Sequence, residues 1–97
     1  MITESDKTHT ALHAPGANLD YSFDWSAWLE EGETVTDSQW SATAGITLSR
    51  TQITDGSVTS TYAGGGALNQ TYILTNTITT SNGRIDSRII RLKCVIR

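Results

Sequence analysis

The sequence predicts an all-β fold, a sandwich of short antiparallel strands, on three observations. Hydrophobic residues make up 37% and charged residues 18% of the chain. Threonine and serine fill the gap, and threonine suits a pleated, half-wet surface better than a helix. Apolar and polar residues alternate in short runs separated by glycine- and aspartate-containing turns. The last third, centred on "LTNTITTSNGRIDSRII", alternates on both sides of a single Ser81-Asn82-Gly83 break and reads as a hairpin.

Each element follows in chain order. Residues 1–18, "MITESDKTHTALHAPGAN", hold no sustained apolar period and end near Pro15-Gly16, so they are expected to form a flexible N-terminal arm outside the core. The folded domain is expected over 19–97. It opens with "LDYSFDW", where Leu19, Tyr21, Phe23 and Trp25 share one face of a strand. "SAWLEEGE" suits one helical turn carrying Trp28 and Leu29, with Gly32 ending it. A second strand runs around Val35 and Trp40, and a third around Ile46 and Leu48. A fourth, "SVTSTYA", sets Val58 and Tyr62 on the same face between turns at Asp55-Gly56 and Gly64-Gly65-Gly66.

The hairpin carries more information than any other stretch. A two-residue Asn-Gly turn would set Leu74 opposite Arg91. A three-residue loop, Ser81-Asn82-Gly83, instead pairs 80 with 84, Leu74 with Ile90 and Tyr72 with Leu92. Only that register makes one face coherent, because a one-residue slip turns a whole strand inside out. Gly83 then takes the left-handed position that closes the loop. The inner face holds Tyr72, Leu74, Ile78, Ile90, Leu92, Cys94 and Ile96. The outer face holds Thr75, Thr77 and Thr79 with Ile73, Ile85, Ile89, Val95, Arg91, Lys93 and Arg97. A merely solvated face does not need so many branched apolar residues. This one is expected to be an interface, covered by another sheet or another subunit. Short strands closed by such a hairpin point to an Ig-like antiparallel β-sandwich. The lack of a cysteine pair sets it apart from antibody domains.

A chain of 97 residues makes one small domain with a single core. One cysteine allows no internal disulfide, which fits folding in a cytoplasm. No apolar run reaches the roughly 18 residues of a membrane span. The opening residues lack the basic start and apolar middle of a signal peptide. The net charge of −3 hides an asymmetry: acids dominate residues 1–40, where Lys7 is the sole base, and bases dominate 41–97, where the acids are Asp55 and Asp86. Either this is a solvated surface, or copies or unlike partners meet through complementary charge.

No chemistry stands out. His9 and His13 are four apart, but in a polar arm without a third ligand they are not expected to bind metal. Lying outside the expected body, neither histidine completes a serine–histidine–acid triad. Cys94 falls on the apolar side of the last strand and is expected to be buried and inert. "GGGALNQT" lacks the lysine of a phosphate loop. Asp20, Asp24 and Asp55 lack the spacing of a calcium loop. An acidic chain without a basic, aromatic patch is not expected to bind nucleic acid. Trp25, Trp28 and Trp40 leave one alternative open. They fill the core, as the phase of Trp25 with Tyr21 and Phe23 favours, or they stack on sugar rings as in a carbohydrate-binding module.

Leu19-Asp20-Tyr21, Asp24-Trp25, Trp28-Leu29, Gly32-Glu33-Thr34, Trp40, the Thr75-Asn76-Thr77 strand and the Gly83-Arg84 turn form a pattern over residues 19–97. In it the chain resembles a family of small structural proteins of tailed bacteriophages, the fibre–tail adaptors and related virion proteins of Ig-like fold. The resemblance implies a non-enzymatic building block with no catalytic residue, cofactor or metal. It would fold in the host cytoplasm and be installed in the virion in several symmetric copies. Its partners would be other virion proteins: tail, fibre, connector or capsid. A capsid decoration protein is the alternative of the same class, and a sugar-binding module the alternative of another.

Overall fold

The computed structural model describes residues 8–96. Seven strands form two sheets: β1 (Thr8–His13), β2 (Asn18–Asp24), β3 (Val35–Ala42), β4 (Ile46–Thr54), β5 (Val58–Gly65), β6 (Thr71–Thr80) and β7 (Ile85–Cys94). One sheet has the order β1-β7-β6-β3 and the other β2-β5-β4. Lettered A to G in chain order, these are the B-E-D and C-F-G sheets of an immunoglobulin domain. The first strand lies beside the last, in parallel, rather than beside the second. All other pairs are antiparallel.

The closing hairpin has the three-residue loop. Thr79 pairs with Ile85, Leu74 with Ile90 and Tyr72 with Leu92, and Gly83 sits at φ 80°. Tyr72, Leu74, Ile78, Ile90, Leu92 and Cys94 are buried in one cluster with Phe23, Trp25, Val35 and Ala63. Trp40 of β3 stacks on Phe23 of β2, ring centroids 5.8 Å apart and planes within 13°. An apolar cluster thus stands where antibody domains set a tryptophan against an inter-sheet disulfide. A bulge between Val35 and Asp37 shifts the β3 register, so odd-numbered Val35 and even-numbered Trp40 both point inward. The Tyr72 hydroxyl accepts the Ala67 N–H at 3.0 Å, the corner that ties the start of the sixth Ig strand to the connection before it.

Several expectations are corrected. The arm expected over residues 1–18 is corrected from Thr8 onward, where Thr8–His13 form β1 against β7 and Asn18 already belongs to β2, while residues 1–7 lie outside the described residues. His13 is fully buried. Alternation in "THTALH" is too short to reveal a strand, and β1 is recruited by the edge of β7 rather than by its own apolar content. "SAWLEEGE" forms no helix. It makes a tight turn, in which Trp25 O accepts the N–H groups of Trp28 and Leu29, because too few residues follow to propagate one. Gly64 and Gly65 are not a turn but the end of β5, paired with β2 and β4. On β5 the buried face carries Thr59, Thr61 and Ala63. Val58 and Tyr62 do share a face, but it is the outer one, where Arg50 lies over the Tyr62 ring. Ile96, in phase with the inner face, lies beyond β7 and is 82% exposed. Trp25 is buried, whereas Tyr21, Trp28 and Trp40 are half-buried against the cluster.

Candidate docking surface

The strand directions give the sandwich two unlike ends. The β2–β3 connection, the β4–β5 turn and the β6–β7 turn meet at one end, which we call the loop end. Trp25 N–H donates to Ser57 O, Val35 N–H to Gly56 O and Ser81 N–H to Thr34 O, each at 2.8 Å. The β1–β2, β3–β4 and β5–β6 connections and the last residues of β7 meet at the opposite end, where Val95 N–H donates to His13 O.

The loop end is fastened by two arginines. Glu33 has a buried carboxylate that accepts a two-pronged pair from Arg84, with Nε at 2.9 Å and Nη2 closing the second prong. Thr80 Oγ1 and the Glu30 N–H also donate to it, at 2.6 and 2.9 Å. Chiefly through the Arg84 hydrogen bonds, and against the cost of burial, the Glu33 carboxyl is held at about 2. The same contact holds the Arg84 guanidinium above its ordinary range. Arg84 also lies over the Trp28 ring, 4.0 Å from its centroid. Arg88 is buried on the inner face with Cζ 3.9 Å above the Trp25 ring. Its Nη1 donates to Asp24 O at 3.3 Å, while Nε is buried without a hydrogen-bond acceptor. Burial pushes this guanidinium down, opposed by Asp86 and Asp24. The Asp24 carboxyl is itself held low by the Ser26 N–H.

A polar chain joins the two sheets inside the core. Trp25 Nε1 donates to Thr59 Oγ1 (3.0 Å), whose hydroxyl donates to Asn76 Oδ1 (2.6 Å). Asn76 Nδ2 donates in turn to Ser38 Oγ and Gln39 O. Near the opposite end, His13 Nε2 donates to Ala17 O at 3.1 Å, and its Nδ1 meets the Tyr21 hydroxyl at 2.6 Å. None of these groups was legible as a partner of another in the sequence. The hairpin register nevertheless held a signal, since it places Asn76 and Arg88 opposite each other on the inner face. Among the described residues, no three histidine, cysteine or acidic side chains gather to hold a metal ion.

The outer face of the four-stranded sheet is built from the same register. Thr10 of β1, Arg91 of β7 and Ile73 of β6 form one row; Leu12, Lys93 and Thr71 form the next, toward the end opposite the loops. Arg91 and Lys93 are exposed, Ile73 is 38% exposed and Leu12 52%. Ile89 and Val95 are half-buried. Ile85, 69% exposed, stands apart from the others beside the loop end. Arg97 lies outside the described residues. The middle of the face is hydroxyl-rich, with Thr77 Oγ1 and Ser87 Oγ bonded across the strands at 2.8 Å.

Apart from Thr75 and Thr77, the residues of the phage pattern do not line this face. Asp24, Trp25, Trp28, Glu33, Asn76 and Arg84 converge on the loop end and its core, so the pattern encodes a fastening. Comparison with curated proteins finds no match. A family model does match residues 13–93, from the buried His13 to Lys93 on the outer face, and by that match the chain belongs to the Gp77 family, described as podophage GP4 fiber-tail adaptor protein gp77.

Proposed function

We propose that the chain is a passive structural adaptor of a podophage virion, joining fibre to tail, with the outer face of the β1-β7-β6-β3 sheet as its docking surface. The observation that carries the docking surface is the grouping of Ile73, Arg91, Lys93 and Leu12 on adjacent rows of one sheet. Apolar area supplies affinity and the two bases supply orientation. The side chains that would otherwise invite a catalytic reading are spent inside the fold: His13 on Tyr21 and Ala17, Glu33 on Arg84, and Asn76 on Thr59 and Ser38. That supports a building block rather than an enzyme. A sugar platform finds no support, because Trp25 is buried, Trp28 is covered by Arg84 and Trp40 by Phe23. Capsid decoration finds none either, since the family description names the fibre–tail junction. On this reading the protein folds in the host cytoplasm and then enters the particle.

The test is complementation of a phage lacking this protein. Particles carrying Arg91→Glu/Lys93→Glu are expected to hold less adaptor and fewer fibres than wild type. Normal loading and normal fibre number with that variant would reject the docking face.

A further inference from the structure

We propose that the lower half of this docking face, where Arg91 and Lys93 lie among exposed apolar side chains, seats the loop end of a second copy of the chain. The inference rests on the reading of that face as a docking surface and names its occupant.

The argument is charge complementarity between two surfaces of one molecule. Glu31 and Asp55 are exposed at the loop end, and Asp24 and Asp37 where β2 ends and β3 begins beside it. The described bases nearby, Arg84 and Arg88, are engaged by Glu33 and Trp28 and by Trp25. They therefore offer little positive charge outward. Toward the opposite end, Arg91 and Lys93 are exposed between Leu12 and Ile73. Ile96 and Leu68, 82% and 43% exposed, extend the apolar area there. Among the described residues, the acid in that half, Asp20, is on the other sheet, paired with Tyr62 beneath Arg50. The asymmetry of acids early and bases late has become a spatial one between the two ends of the sandwich.

Unlike surfaces make a heterologous contact, which repeats into a ring or an open chain. The molecule is 27 by 19 Å across its long axis. One end therefore covers on the order of 500 Å² per partner, below the ~800 Å² of a standard interface. A single contact is weak, and copies held together on a particle reinforce one another.

Sedimentation of the purified full-length protein tests this. At low salt the wild type is expected to associate as concentration rises, and to weaken about tenfold or more when salt is raised and the exposed charges are screened. Arg91→Glu/Lys93→Glu and Glu31→Lys/Asp37→Lys should each sediment as monomers with unchanged circular dichroism. Mixed, they should associate again, because each supplies the surface that the other's reversed face needs. A wild type that stays monomeric at several hundred micromolar in low salt overturns the inference. So does a mixture that stays monomeric, or a single variant that assembles like wild type. The adaptor reading is judged separately, by particle loading, and survives a monomeric wild type if the Arg91/Lys93 variant still fails to load.

Discussion

At Glu33 a carboxylate is taken out of water and kept charged by what surrounds it. Its folded value of about 2 lies below the ordinary 4.5. Between these values the unfolded chain binds more protons at this site than the folded one, so stability rises with pH across the window. The contribution is fully present above about 4.5 and is lost as the pH falls toward about 2. Melting temperature measured from pH 6 to pH 2 should fall more steeply for wild type than for Glu33→Gln, and parallel profiles would remove Glu33 from this role. Asn76 poses the same question without charge. Asn76→Ala leaves Thr59 Oγ1 without its acceptor in the core, and the part-buried Ser38 Oγ and Gln39 O without their donor. A loss of about 2–4 kcal/mol by denaturant titration is expected. Thr59→Val added to it should cost less than the two changes measured apart, because the hydroxyl has already lost its partner.

Among the elements, the hairpin was legible because two constraints met on it. The alternation of Tyr72, Leu74, Ile90 and Leu92 has to fall on one side, and a single loop length allows that. β1 was not legible, because its six residues carry little apolar content and their seat is set by β7, about 80 positions later in the chain. The glycines at the end of β5 and just beyond it misled for a related reason. They read as punctuation, whereas their role is close approach: a Cβ on Gly66, at φ 92°, would lie 2.6 Å from Cys94 Sγ. Gly83, at φ 80°, has nothing within 4 Å of a Cβ and carries only the backbone penalty. Gly83→Ala should therefore cost about 1 kcal/mol, and Gly66→Ala distinctly more, roughly 2–4 kcal/mol, because strain and overlap add. Equal costs would mean that the overlap is relieved by a small shift of Cys94. Deleting residues 1–17 removes β1 and the buried His13 with its bonds to Tyr21 and Ala17. The truncated protein should melt several degrees lower, and an unchanged melting temperature would show that β1 is dispensable to the fold.

For the whole molecule, the sequence revealed the layers and hid the charge map. Six of the seven short strands and their alternation are local properties, readable without knowing what lies across the sandwich. Which end an acid occupies depends on strand direction, and which bases are spent internally depends on contacts as distant as Glu33 with Arg84. The proposed docking face stood between these cases. Its residues followed from the hairpin register, while its division into a basic, apolar half and a half nearer Ile85 needed the sheet order. The parallel seat of β1 on β7 has one further consequence, and it concerns time. Thr8–His13 leave the ribosome about 80 residues before Ile89–Cys94, against which they pair. β1 therefore cannot close onto β7 until those later residues have emerged. Pulse-labelled hydrogen exchange during refolding should find the amides of β1 protected no earlier than those of β6 and β7, because a long loop must close first. Until that closure the edge of β7 stays open, and a nascent adaptor carries an unpaired strand edge that a neighbouring chain can enter.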